Sequence, residues 1–135
     1  MARTELPRIA ILGAGPVGLE AALQFKHLGY PVHVYERGEV AENVGQWGHV
    51  RLFTSFGQMS TTAGLELIKR EHPQHRLPNP NDLLTGQEYR DGYLIPLTVT
   101  ALLGDCVSTK TAVLRVGRSG LLRTDPATEP RRATA

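Results

Sequence analysis

The sequence predicts an α/β protein with a parallel sheet that begins with a strand, a helix and a second strand. Three observations predict this class: a short apolar run ends abruptly in glycine, residues with helical spacing follow, and a run with a period of two comes next. A helix that crosses over between two strands lets them lie parallel, and such connections are right-handed. We expect one domain over residues 1–122 and a disordered tail over 123–135, where the chain becomes polar and contains proline.

The composition indicates one soluble globular unit that is not a charge-driven binder. The chain has 135 residues, of which 41% are hydrophobic, and its net charge is +2. This balance favours neither a nucleic-acid surface nor an anionic membrane. No apolar stretch reaches the roughly 20 residues of a membrane-spanning helix. The single cysteine, Cys106, excludes a disulfide framework within these residues, so we expect a cytoplasmic location and a small, buried role for Cys106 itself.

The first three elements follow from the spacing of apolar residues. Arg8–Leu12 is predicted as a strand with both faces covered. A helix is predicted to begin near Pro16 and to stop at Gly29, and Val32–Glu36 is predicted as the second strand. The residues expected on the buried face of the helix recur at steps of three and four: Val17, Ala21, Phe25 and Leu28, with Ala22 beside them.

The rest of the chain is less regular. Arg37–Ser60 is rich in glycine and is predicted as a long loop that lines a site, and Thr62–Glu71 is predicted as a helix. Thr85 and Glu88 have the spacing of a capping box, which predicts a further helix start.

Pro96 should interrupt or kink this last helix, because proline removes a backbone hydrogen bond there. Thr111–Val116 is predicted as the third strand, closed by a turn at residues 118–120. The buried face of the interrupted helix should carry Tyr89, Tyr93, Leu97 and Ala101.

A G-x-G-x-x-G motif lies where the first strand should end. Gly13 permits a sharp turn, Gly15 lets a diphosphate approach the backbone, and Gly18 lets the helix pack closely on the strand. Pro16 suits the first helical turn because its missing N–H is not needed there. The free amides of this turn, which include that of Val17, and the positive end of the helix dipole should stabilise a phosphate.

Glu36 supplies the second half of this predicted site. It closes the second strand 23 residues after Gly13, near the spacing expected for a ribose contact. A carboxylate accepts hydrogen bonds from ribose hydroxyls and repels a 2′-phosphate, so NADP is disfavoured here. The alternative is an ordinary glycine turn with a solvated Glu36.

Arg8 to Arg37 resemble the N-terminal FAD-binding segment of the two-dinucleotide-binding-domain flavoproteins. This resemblance implies a Rossmann-like FAD/NAD(P)-binding domain in which Glu36 and Arg37 end the second strand and the ADP half of FAD is bound, with NAD as the alternative cofactor. Residues 45–52 are similar to a Gly/Trp-rich segment that passes near the flavin in monooxygenase-like members. Trp47 could then lie against the flavin or anchor a loop, and Arg51 could neutralise a diphosphate or lie exposed on the surface.

The resemblance implies the N-terminal part of an FAD-dependent, NAD(P)H-linked, monooxygenase-like oxidoreductase. We identify no catalytic residue and no metal-ligand spacing in the sequence. Only about three of the five or six strands expected are found, which predicts an incomplete, truncated domain that needs the rest of the fold or a partner chain. The alternatives are a nucleotide-binding module without turnover and a segment of an NAD-dependent dehydrogenase.

Overall fold

Three parallel strands form the sheet, in the order β1–β2–β3. In the computed structural model, which describes residues 6–118 and 120, these strands are β1 (Ile9–Leu12), β2 (Val32–Tyr35) and β3 (Val107–Ser108). β1 pairs with β2 from Ile9 opposite Val32 to Leu12 opposite Tyr35, and β3 continues beside the end of β2. The predicted parallel α/β sheet and its strand–helix–strand beginning are confirmed.

One long helix crosses between the first two strands, and short helices fill the segment between β2 and β3. The predicted loop at residues 37–60 contains two of them. The helices are α1 (Pro16–His27), α2 (Glu42–Gln46), α3 (Phe56–Met59), α4 (Thr62–Glu71), α5 (Gly86–Tyr89) and α6 (Ile95–Thr98), with a π-helical turn at Arg90–Leu94 and a 3₁₀ turn at Gly104–Cys106.

The buried face of α1 differs from the one predicted. Val17 is 83% exposed and Leu28 is 65% exposed, so this part of the prediction is wrong. The residues of α1 that are buried are Leu19, Ala22 and Leu23, of which Ala22 was expected. The reason is Gly18: a Cβ built there would lie 2.0 Å from the carbonyl oxygen of Gly13, so this side of the helix rests directly on the end of β1. That contact turns the Leu19 side of α1 toward the core.

Among residues 6–118 and 120, the sheet is covered on one face only. The prediction that both faces of β1 are covered is wrong, because Ala10 is exposed and Leu12 is 55% exposed. In the register of the sheet these residues lie opposite His33 and Tyr35, which are half-buried. Their common face is therefore open, whereas Val34, on the other face, is fully buried against α1.

The third strand is not where the sequence predicted it. Residues 111–116 form no strand, because the place beside β2 is taken by β3 and the described residues offer them no other strand. Instead the Thr111 N–H donates to the Glu36 carbonyl at 2.8 Å, and Leu114 and Val116 are 89% and 82% exposed. Ser119 of the expected turn and the expected tail at 123–135 lie outside the described residues.

The predicted capping box at the start of α5 is present. The Thr85 hydroxyl accepts from the Glu88 N–H at 3.2 Å, and the Glu88 carboxylate accepts from the Thr85 N–H at 2.7 Å. These hydrogen bonds hold the pKa of Glu88 below its usual value, because they favour the ionised carboxylate. The pairing fixes where the helical segment that follows begins.

The helix that contains Pro96 is interrupted, as predicted, by a π-helical turn directly before α6. Proline at 96 has no N–H for the carbonyl four residues earlier, that of Gly92. His75 fills this gap, since its Nε2 lies 2.8 Å from the Gly92 oxygen and donates to it. Of the expected buried face only Ala101 is wrong: it is exposed, because α6 already ends at Thr98.

A core of aliphatic and aromatic side chains joins the sheet side of α1 to the short helices. Phe56 and Tyr93 are fully buried and meet edge to face, with ring centroids 5.6 Å apart. Cys106 is buried, as predicted, and burial raises the pKa of its thiol. The position of α1 is therefore fixed on one side by its contact with β1 and on the other by the core side chains of the short helices.

Candidate dinucleotide site

The glycine motif forms the turn between β1 and α1. Gly13 has φ +105°, a conformation that side chains other than hydrogen disfavour. A Cβ built at Gly15 meets no atom within 4 Å and would project into open space at the start of α1. Gly15 therefore leaves room for a ligand to approach the backbone, whereas Gly18 is needed for packing against Gly13.

A cleft of about 420 Å³ opens beside this turn. Four stretches of chain form its walls. They are the end of β1 with the glycine turn (Leu12, Gly13, Gly15 and Pro16), the end of β2 (Tyr35, Glu36 and Arg37), α2 with the residue before it (Ala41 to Val44, and Gln46), and the stretch after β3 (Thr111 to Val113). Five of the sequence-predicted site residues thus line one cavity: Gly13, Gly15, Pro16, Glu36 and Arg37.

The carboxylate of Glu36 points at the glycine turn. Its Oε2 accepts from the Ala14 N–H at 2.8 Å and its Oε1 accepts from the Gly38 N–H at 2.9 Å. An ionised carboxylate offers about four lone-pair sites, so two remain for a ligand. A sugar diol in the cleft would meet these sites.

The start of α1 supplies the opposite charge. Within the described part of the chain, the N–H groups of Gly15, Val17 and Gly18 make no hydrogen bond to another residue. Pro16 occupies the first helical position, where its lack of an N–H costs nothing. Free amides at the positive end of a helix dipole bind phosphate groups well.

Trp47 and Arg51 lie elsewhere. The Trp47 ring packs on Gly86, where a Cβ would come within 2.7 Å of its Cζ3 atom. The Arg51 guanidinium donates to the Leu83 carbonyl at 2.5 Å. Neither side chain lines the cleft beside the glycine turn.

Trp47 and Val17 instead line a second, apolar groove of about 590 Å³ on the other side of Pro16, which borders both cavities. Leu52, Met59 and Tyr89 line it as well, and one carboxylate, that of Glu20, stands in its wall. Glu20 accepts from the Tyr93 hydroxyl at 2.5 Å and from the Thr61 hydroxyl at 2.9 Å.

Sequence reasoning missed the peptide of Ala14, which holds the glycine turn, and two parts of the cleft wall: α2 with Ala41 before it, and residues 111–113. Ala14 donates to Glu36, and its carbonyl accepts from the Ala41 N–H at 3.0 Å. Ala41 has φ 51°, a left-handed conformation that its residue type does not predict. The position of residues 111–113 depends on the pairing of β3, which local sequence does not reveal.

Two further findings concern residues 6–118 and 120 alone. They contain no group of three or more His, Cys, Asp or Glu side chains that could hold a metal ion. None of the helices they form has the length and apolar character needed to cross a membrane.

Comparison with known proteins shows which proteins these residues are similar to. The sequence profile of the family described as pyridine nucleotide-disulphide oxidoreductase matches residues 8–46, which include β1, the glycine turn, α1 and β2. Over residues 8–46 the chain is therefore similar to that family. A stretch of 30 residues is 53% identical to the NAD-dependent dihydropyrimidine dehydrogenase subunit PreT of Salmonella typhimurium.

A longer match is to the methylenetetrahydrofolate–tRNA-(uracil-5-)-methyltransferase TrmFO of Sulfurihydrogenibium sp., which is 34% identical over 68 residues. These matches cover 22% and 47% of this chain, and only 7% and 16% of the two relatives. The matched residues therefore correspond to a small part of each relative.

Solved structures share the fold. A steroid monooxygenase bound to NADP matches 77% of this chain with a TM-score of 0.56 and 20% identity. OTEMO, in complex with FAD and NADP, matches 79% with a TM-score of 0.55 and 19% identity. The chain spans 20% and 19% of those two structures, so the likeness in fold extends beyond residues 8–46 while most of each structure is unmatched.

Proposed function

We propose that this chain is the nucleotide-binding part of an FAD-dependent oxidoreductase and that it binds the ADP half of FAD. One observation carries the proposal: Glu36 and Gly15, whose amide is free at the start of α1, line the same cleft. The carboxylate suits a ribose diol, and the amides at the start of α1 suit a diphosphate. The space at Gly15, where a Cβ would project, fits the close approach of such a ligand.

In this proposal the residues of the cleft bind different parts of the ligand. Glu36 accepts from the ribose, the amides of Gly15 and Val17 donate to the diphosphate, and Arg37 adds a positive charge at the cleft wall. When bound, FAD would supply the electron transfer, and the protein would bind and orient it. We include an NAD(P)H-linked, monooxygenase-like activity in the proposal because FAD- and NADP-bound monooxygenases share the fold.

A second candidate ligand is NAD. It is favoured by the 53% identity, over 30 residues, to an NAD-dependent dehydrogenase subunit. Because the same cleft would hold the ADP half of either cofactor, the two differ only in what lies beyond the diphosphate. The apolar groove next to Pro16, with Trp47 in its wall, favours a flat aromatic ring such as the flavin.

The proposal also includes the need for a covering partner and a cellular location. The open face of the sheet, with Leu12 exposed, supports the need for a further part of the fold or a partner chain to cover it. The single cysteine in the sequence supports a cytoplasmic location.

Titration of the purified chain with FAD, ADP and NAD tests the function. We expect ADP to bind, FAD to bind more tightly than NAD, and Gly15→Val to weaken all three because its side chain fills the space beside the diphosphate. Gly117→Val is the matched control, since a Cβ at Gly117 also meets nothing within 4 Å but lies outside the cleft. Equal affinities for wild type and Gly15→Val would refute the site, and tighter binding of NAD than of FAD would favour the dehydrogenase.

A further inference from the structure

The glycine turn is held by groups of the protein itself. The peptide N–H of Ala14 donates to the Glu36 carboxylate, and the carbonyl of the same residue accepts from the Ala41 N–H. Ala14 is fully buried, so its N–H needs a partner inside the protein. Among the described residues that partner is Glu36 alone.

Glu36 is itself fixed in place. Its N–H donates to the Ser108 carbonyl at 2.8 Å, its carbonyl accepts from the Thr111 N–H at 2.8 Å, and its second carboxylate oxygen accepts from the Gly38 N–H. Backbone and side chain are therefore both anchored. Any group bound to this carboxylate is held at a fixed position relative to the sheet.

We propose that Glu36 is a positioning residue for the glycine turn: its bond to Ala14 keeps the amides of Gly15, Val17 and Gly18 pointing outward. This role rests on the proposed function and goes beyond it, because a ribose contact alone requires no bond to the turn. Gly13 and Gly15 give the turn many accessible conformations, and ordering such residues is entropically costly. A charge-assisted hydrogen bond to a buried N–H offsets that cost.

Electrostatics separates the two roles. If Glu36 serves the ribose alone, removing its negative charge should strengthen the binding of a free inorganic anion at the turn, because like charges repel. If Glu36 also orders the turn, the same change should weaken that binding despite the lost repulsion. Inorganic pyrophosphate, which has no ribose, is therefore the decisive probe.

The experiment measures amide hydrogen exchange at Ala14 and the affinity for inorganic pyrophosphate in wild type, Glu36→Ala and Glu36→Gln. We expect protection at Ala14 to fall roughly 10- to 100-fold in Glu36→Ala, the factor that a hydrogen bond to a charged group carries. Pyrophosphate should bind Glu36→Ala more weakly than wild type. Glu36→Gln keeps one acceptor oxygen and should restore part of both signals. Glu66→Gln, an exposed carboxylate on α4, controls for net charge.

Exchange at Leu67 and Ile68, buried on α4, reports whether the rest of the fold survives each change. If Glu36→Ala loses protection at α4 as well, Glu36→Gln is compared with wild type instead. We then expect Glu36→Gln to exchange faster at Ala14 and to bind pyrophosphate more weakly than wild type does. Unchanged protection at Ala14, or pyrophosphate binding as tight as in wild type, overturns the positioning role. If Ala14 behaves as expected while wild type binds neither ADP nor FAD, the role of Glu36 in the turn stands and the proposed function fails.

Discussion

At the scale of single residues, the three glycines of the motif have separate physical tasks. Gly13 adopts a φ of +105°, Gly15 leaves space open toward the cleft, and Gly18 removes the side chain that would strike the carbonyl oxygen of Gly13. The sequence motif predicted each of these tasks. It could not predict that Glu36 binds Ala14, because that contact depends on how β2 lies beside β1.

Gly18→Ala should destabilise the protein by about 2 kcal/mol or more, because the new methyl group has no room between α1 and β1 and the helix must move. Gly117→Ala, where no atom lies within 4 Å, should change the free energy of unfolding by less than about 0.5 kcal/mol. Urea denaturation of both variants checks this. The same transition midpoint for both would contradict the close packing of the helix on the strand.

The buried tyrosines should make stability fall at alkaline pH. Burial raises the pKa of Tyr89 to about 12, and it raises the pKa of Tyr93 further, with help from its hydrogen bond to Glu20. Both groups stay protonated in the folded state while the unfolded chain ionises near pH 10. The stabilisation is therefore complete below pH 10 and is lost as the pH rises toward 12.

The free energy of unfolding, measured by denaturant titration at several pH values, should decline between pH 10 and 12 by up to about 1.4 kcal/mol per pH unit for each buried tyrosine. Tyr89→Phe should make that decline shallower. A slope that is the same in wild type and Tyr89→Phe would show that Tyr89 ionises as easily in the folded state as in the unfolded chain.

At the scale of elements, the helix over Gly86–Thr98 shows what local sequence does and does not specify. The capping box at Thr85 marked its start correctly, because both partners lie three residues apart. Pro96 correctly predicted an interruption of the helix. It did not predict the π turn before it or the hydrogen bond from His75 to Gly92, which joins residues 17 positions apart. The prediction of a strand at Thr111–Val116 was wrong for a related reason: β propensity does not determine which strand a segment pairs with.

His75 and Pro96 should be energetically coupled. His75→Ala leaves the Gly92 carbonyl without its donor and should cost about 1–3 kcal/mol. In a Pro96→Ala background the new N–H at position 96 can serve this part of the helix, so the loss of His75 should cost less there. A double-mutant cycle by urea denaturation measures the difference. Strict additivity would mean that His75 does not compensate for the proline.

At the scale of the whole molecule, the two faces of the sheet differ in how far they are covered. The face of the sheet under α1 is buried, while the opposite face exposes Leu12 and the segment after β3 exposes Leu114 and Val116. The sequence had predicted that both faces of β1 are covered, and the structure shows instead which apolar surface lies open. Its location follows from sheet topology, which the residue pattern alone did not determine.

Leu114→Ser with Val116→Ser should lower self-association and the binding of a hydrophobic dye, because both side chains face solvent. The free energy of unfolding should change by less than about 1 kcal/mol in total, since exposed positions contribute little. Leu67→Ala, at a buried position on α4, should cost 2–5 kcal/mol by contrast. Sedimentation velocity with dye fluorescence reports the first effect; a large loss of stability in the double variant would show that these side chains are packed after all.

Gly18 rests on the carbonyl of Gly13 with no side chain between them. Main-chain atoms therefore limit how closely α1 can approach the end of β1 at this point, while Leu19, Ala22 and Leu23 pack the rest of the helix into the core. A change in the size of a core side chain acts on that packing, and the backbone contact at Gly18 limits how far the start of α1 can shift toward the sheet.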